Sequence, residues 1–569
     1  MRIRDTIRMS LFVAVLLPSP FVRRDGDEGA KFTRAVNPHP ALFQKERVNP
    51  LYDVRTFGAK GNGKTLDTLA INRAIDDAAA AGGGTVDFPA GTYLSASIHL
   101  KSNITLQLDQ GATILAVDTV PGKVAYDLPE PNEWDMYQDF GHSHWQNSLI
   151  WGSGLENVSI VGPGLIDGKG LTRRSPRARR VNQPGDRPVT LGGQTGARPQ
   201  APLGEDDDPS VMNGLGNKAI SLKNCRNVLL RDFSILNGGH FALLATGVDN
   251  LTIDNLKVDT NRDGFDIDSC RNVRISNCSV NSPNDDAIVL KSSYALGVAR
   301  ATENVTITNC LVSGYDIGSL LDATYKKNVT EAPDKDGPTG RIKLGTESNG
   351  GFKNIAISNI VFDHCRGLAL ETVDGGLLED VTITNITMRD VTNSPIFLRL
   401  ARRMRGPSGT PVGQLRRVNI SNVVAYNADA RYASIIAGIP EHNIQDVSLS
   451  NIRIFYRGGG QKELADAQLP ERETNYPEPS MFGETPAYGF FVRHVEGLEF
   501  NNVTVNYLTP EMRPPFFLEE VTFAKFNNVA GYRALLVPMF VLRNVSDFNT
   551  QGCISVPDMH VDRIVKQNF

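Results

Sequence analysis

The 569-residue chain is predicted to be all-β, a single-stranded right-handed parallel β-helix (a solenoid) with a capping helix at its N-terminal end. Three observations lead there. A polar–Asn–aliphatic signal recurs at Asn227, Asn250 and Asn272, in steps of 23 and 22 residues, and a period of that size marks coils that stack on one another. Each signal is followed 13 residues later by a polar side chain, at His240, Asp263 and Asp285. The signals run on through Asn304, Asn354, Asp380, Arg417, Asp446 and Gly497, separating short runs rich in Val, Ile and Thr. Such runs between Asn turns suit parallel strands better than helices.

Taken in order, residues 1–22 read as an export signal. Arg2, Arg4 and Arg8 precede the apolar run Ser10–Leu17, which is too short to span a bilayer. A secreted or periplasmic protein is expected. Residues 23–48 are charged and Pro-punctuated, a linker, and residues 49–569 form the β-helix. Near its start, Leu69, Ile71, Ala74, Ile75 and Ala78 cover one helical face, Asp67 is placed to cap that helix and Gly82–Gly84 stop it. Laid over the first coil, the helix would shield an otherwise unpaired strand edge.

Where spacing exceeds the period, loops leave the coils, at 171–213, 315–340 and 457–488, with a smaller excess at 292–302. The first carries Arg173, Arg174, Arg177, Arg179, Arg180, Arg187 and Arg198, then the acidic run Glu205–Asp208. It reads either as a basic wall for an anionic ligand or as a solvated segment. Loops 171–213 and 315–340 are the candidates for closing one end of a groove.

Composition narrows the partners. A net charge of −4 and the lack of basic–aromatic interleaving give no sign of nucleic-acid binding. No segment after the signal is apolar enough to cross a membrane, and a monomer is expected. The six Cys are too scattered for a disulfide scaffold, and no pair has metal-ligand spacing. Cys278 and Cys310, each six residues after its marking Asn, are expected to stack as free thiols facing the core. No metal and no cofactor are expected.

The repeat phase makes a site. Residues one coil apart sit about 4.8 Å from each other, so His240, Asp263 and Asp285 should form a column, with Asp286 beside the last. Neighbouring strand residues point to opposite faces, so Asp285 and Asp286 can both face one groove only at a bend or bulge. Asp266 and Asp268 should face outward from the strand of Asp263, lining the groove, holding a cation or keeping the surface wet. His142 and His144 have no third ligand nearby in sequence and read as loop residues.

Four stretches are diagnostic together: the first coils at 53–117, GPGLIDGKG at 162–170, Asn261-Arg-Asp-Gly-Phe-Asp266, and Asn284-Asp-Asp286 with the Ala-Ile-Val-Leu-Lys-Ser that follows, which includes Lys291. On these, the chain from Pro50 to Leu542 resembles the polygalacturonase family of glycoside hydrolases (family 28), in the pectin-lyase-like β-helix superfamily. Arg262 stands where the family has Thr, a mild departure. The resemblance implies inverting hydrolysis of a pectic poly- or oligosaccharide, with Asp285 as general acid and Asp263 and Asp286 activating water. It implies substrate contacts from Asn261, His240, Lys291, Arg341, Lys343 and Glu371. Inverting carboxyl pairs stand roughly 6.5–9.5 Å apart, and clustering drives their pKa values apart.

The family's Gly-His-Gly is absent. In one alignment Arg341-Ile-Lys343 is its cationic Arg-Ile-Lys motif. In the other, favoured by the phase of Lys353-Asn-Ile, Leu344–Gly351 matches its IGSE…GG segment and Ala369-Leu-Glu371 falls at the cationic position. A Glu there would disfavour a uronate, which leaves galacturonan, rhamnogalacturonan or another pectic chain open, and exo-action as well as endo-action. A β-eliminating lyase, or a non-catalytic carbohydrate-binding β-helix, are the rival readings.

Overall fold

The computed structural model describes residues 50–173 and 209–569. The expected signal at 1–22, the linker at 23–48, and Arg174, Arg177, Arg179, Arg180, Arg187, Arg198 and Glu205–Asp208 lie outside those residues. The described chain is a right-handed parallel β-helix whose strands pair in register from coil to coil. The last strand, Met559–Asn568, runs antiparallel to Phe540–Gln551. Among the described residues, no helix is long and apolar enough to cross a membrane.

The repeating Asn signal is the corner of each coil. Asn227, Asn250, Asn272, Asn304 and Asn354 all have φ between 56 and 58°, a left-handed conformation that Asn tolerates better than most residues. Their side chains form a ladder, each Nδ2 donating to the Oδ1 one coil below, at 2.7–3.2 Å. A second ladder climbs through Asn277, Asn309, Asn359, Asn385, Asn422, Asn451 and Asn502. Between the corners, inward aliphatic residues stack into one continuous core. Cys278 and Cys310 lie in that core one coil apart, both as free thiols.

Helix α1 spans Thr68–Ala80 and buries Ala70, Ile71, Ala74, Ile75 and Ala78. Two details depart from expectation. Leu69 is 76% exposed, one position off the buried stripe. Asp67 makes no side-chain bond to the helix end; its carboxylate accepts instead from the N–H groups of Lys60 and Gly61, at 2.7 and 3.0 Å. It ties down the preceding turn rather than capping the helix.

Candidate active site

Five consecutive strands build the site: β1 (Phe241–Thr246), β2 (Asp263–Asp268), β3 (Ile288–Ser292), β4 (Ile342–Ser348) and β5 (Leu368–Thr372). Their register revises the expected column. Phe241 pairs with Asp263, and Phe265 with Ile288. The coil holding the Asp-Asp pair is therefore one residue longer than its predecessor, and Asp286, not Asp285, stacks on Asp263. Asp285 lies one residue earlier, in the bend before β3, and His240 lies one before Phe241. That bend lets two successive carboxylates reach one place.

Asp263, Asp285 and Asp286 converge, with a carboxylate oxygen of each within 4.8 Å of the others. The Asp286 N–H lies 3.2 Å from both Asp263 Oδ1 and Asp285 Oδ1. Asp263 and Asp286 are buried, whereas the Asp285 side chain is 23% exposed and leads to solvent. Burial, and next the charge of Asp285, push the Asp263 carboxyl well above the ordinary range. Arg262, beside it on the rim, places Nη2 2.5 Å from Asp285 Oδ2. The substitution of Thr by Arg in the motif thus touches the expected general acid directly.

Arg341, ahead of β4, is buried and grips two carboxylates. Its Nε donates to Asp286 Oδ1 at 2.6 Å, and its Nη1 and Nη2 donate to the two oxygens of Glu478 at 2.8 and 2.6 Å. Burial opposes ionisation of Glu478, yet Arg341 and Arg366 hold its carboxyl well below the ordinary range. Lys343 Nζ lies 3.5 Å from Asp286 and from Glu371, and 3.3 Å from the Tyr476 hydroxyl. Lys343 pairs in register with Ala369, which places Glu371 on the next coil, at the far end of β5. Glu371 is fully buried, and desolvation pushes its carboxyl up to about 7.

The remaining expected residues sit further back. Asn261 lies half-buried in the bend before β2. His240 is 2% exposed, with Nδ1 3.2 Å from the Arg173 carbonyl and its ring against Phe241; burial holds it well below its ordinary pKa, so it is neutral. Lys291 is buried, 3.1 Å from Glu347 and 3.5 Å from Asp266. Asp266 and Asp268 are fully buried rather than wet. Asp268 accepts from the N–H and hydroxyl of Ser293, at 2.8 and 2.6 Å.

Three participants carried no readable signal. His142 is not a loose loop residue: its Nε2 lies 2.9 Å from Asp266 Oδ2 and 2.8 Å from Lys291 Nζ. With Asp263 and Asp266 it falls within metal-ligand distance, 4.8 Å or less. The Lys291 ammonium already occupies that cluster, however, which disfavours a second cation. Tyr476 and Glu478, from the 457–488 loop, close over β4. The wall on the other flank is the stretch 128–148, whose Trp145 is buried against Phe241 and Leu244. Only the 54-residue gap between the corner residues Asn103 and Asn157 hinted at it. Asp139 of that stretch reaches Arg405 at 3.8 Å, in the loop that follows the strand Ile396–Leu400.

Comparison with known proteins agrees with this architecture. Residues 51–127 match a family model described as rhamnogalacturonase A/epimerase, pectate lyase-like, and residues 208–331 match the right-handed β-helix region. An exo-poly-alpha-D-galacturonosidase of Dickeya chrysanthemi is 25% identical over 398 residues, 61% of this chain and 63% of that protein. A Vitis vinifera protein named "Probable polygalacturonase" is 24% identical over 428 residues, 71% of this chain and 74% of its own. The solved exopolygalacturonase of Thermotoga maritima shares the fold, with a TM-score of 0.50, 18% identity, and coverage of 91% of this chain and 95% of its own. The chain thus has the right-handed β-helix fold and is similar, over 61–71% of its length, to a galacturonosidase and a probable polygalacturonase.

Proposed function

We propose that this protein is a glycosidase that hydrolyses a bond of a pectic poly- or oligosaccharide with inversion at the anomeric carbon. The observation that carries the reading is the meeting of Asp263, Asp285 and Asp286 within 4.8 Å. Asp285, at the solvent-facing edge, donates a proton to the leaving oxygen. Asp263 and Asp286 hold the attacking water and take its proton. In the resting protein Asp285 is paired with Arg262. Substrate must therefore loosen the Arg262 contact before Asp285 can act. It must also widen the acids toward the roughly 6.5–9.5 Å of inverting pairs.

The walls at 128–148 and at Tyr476–Glu478 flank the acids, which favours attack on a chain end. Substrates of polymer size put the enzyme outside the cytoplasm, secreted or periplasmic. The test is reducing-end release from defined pectic oligomers, with products followed by mass and by the anomer formed. Asp285→Asn should lower the rate by about 10²–10⁴-fold, and equal rates would sink the mechanism. A retained anomer would reassign the roles, and an unsaturated, ultraviolet-absorbing product would make the protein a lyase. A ladder of mixed lengths early in the digest would refute attack from the end.

A further inference from the structure

Resting on the reading of a pectic substrate, we infer that a groove beside Trp151, across the 128–148 wall from the acids, is a second sugar-binding site that anchors a pectic chain without cleaving it. The strand Ile150–Ser153 turns Ile150 and Gly152 toward the core and Trp151 and Ser153 outward. In register, Trp151 pairs with Ser221, Ser221 with Leu244, and Leu244 with Asp266. The groove therefore opens on the sheet that carries the acids, three coil steps from the row of Asp266, about 14 Å at the usual strand spacing. Trp145, which packs on Leu244 and carries Lys223 over its ring at 3.7 Å, separates the two.

The groove has the chemistry of a sugar site. It encloses about 570 Å³, inside the roughly 300–1,000 Å³ of small-ligand pockets. Asp127 Oδ2 accepts from the Trp151 indole Nε1 at 2.7 Å and lies 2.7 Å from His99 Nε2. These contacts hold the indole in one orientation while part of it stays exposed. The face of an indole is electron-rich and attracts the weakly positive C–H groups that one side of a pyranose ring presents. Sugar hydroxyls both donate and accept, and the rim answers both ways: the Asp127 carboxylate accepts, while the Gln146 amide and the Ser153 hydroxyl do either. Lys101, at the same rim, supplies a cation for a uronate. Its side chain is 45% exposed and 3.5 Å from an exposed Asp76, a surface pair too weak to withhold the ammonium from a ligand.

The test uses the full chain carrying Asp285→Asn, so that the probe survives, with fluorotryptophan at its three Trp positions. Fluorine NMR then reads one signal per indole, and Trp151→Phe identifies the signal of Trp151 by its loss. Titration with a defined oligogalacturonide should shift the Trp151 signal saturably. A Trp151 signal that stays in place, whether or not the other two move, overturns the inference. Trp151→Ala should weaken retention by pectin in affinity electrophoresis roughly tenfold, the scale of one buried aromatic contact, and equal retention overturns the inference as well. Should that variant fail to fold, the shift read on the intact indole decides. Hydrolysis is judged separately, by reducing-end release from the parent chain: a Trp151 signal that moves in a protein that cleaves nothing leaves the groove standing and removes the hydrolase reading.

Discussion

Arg341 faces Asp286 on one edge and Glu478 on the other, so its removal leaves two buried carboxylates short of a cation. Breaking a buried pair by deleting one partner costs about 3–5 kcal/mol, well above the 0–1 kcal/mol of a surface pair. Arg341→Gln should therefore lower the urea midpoint substantially at neutral pH. The pH dependence has a definite sign. The Glu478 carboxyl is held below its ordinary 4.5 in the folded state, so its stabilisation is present above that value and is lost as pH falls toward the folded pKa. The gap between Arg341→Gln and the parent should be widest at neutral pH and narrow below 4.5; a gap independent of pH would contradict the electrostatic account. This network also shows what a linear reading can reach. Asp263, Asp285, Asp286, Arg341 and Lys343 stand in or beside motifs and could be named from sequence. Glu478 is 137 residues from Arg341, and His142 is 124 from Asp266. Both sit in loops without periodicity, where nothing local announces a partner.

At the scale of the coil, the corner Asn does two things that one substitution can separate. Asn272 holds φ 56° and passes hydrogen bonds to the coils on either side, at 3.1 and 3.2 Å. Asn272→Ala loses both bonds and places a Cβ residue in the left-handed region, at a cost of about 1–2 kcal/mol. Asn272→Gly loses the bonds but keeps the conformation accessible, and should fall between the parent and Asn272→Ala. Urea titrations with unchanged m-values would read this order; equal losses for both variants would mean the ladder, not the backbone, carries the energy. Because this corner recurs as an Asn in a fixed phase, the coils could be counted from sequence. The extra residue before Asp286 could not, since the loop at 292–302 sets the next marker, Asn304, 32 residues after Asn272 and hides a one-residue change within that coil. The same limit explains Leu69: α1 buries the stripe through Ala70 and Ile71, and sequence periodicity could not separate this stripe from one shifted by a single position.

Across the whole molecule, each coil touches mainly the coils before and after it, so stability accumulates along one axis and each end must be covered. At the N-terminal end α1 lies over the first strands. At the other, the strand Met559–Asn568 crosses antiparallel over Phe540–Gln551, and Phe569 stacks on Phe548 with ring centroids 6.0 Å apart. Beneath it, Phe516, Phe526, Phe540 and Phe548 form a contacting aromatic column. Removing residues 552–569 would uncover both that column and the unpaired edge of Phe540–Gln551. The truncated protein should self-associate with rising concentration, read by light scattering or sedimentation. Ile288 and Phe540 are seven coil steps apart in register, about 34 Å at the usual strand spacing. The acid cluster should not sense the change: kcat per folded molecule should stay within roughly twofold of the parent if coils interact only with their neighbours. A truncated protein that stays monomeric would show that the crossing strand is not a cap, and one that folds yet loses its activity would show that strain travels the length of the solenoid.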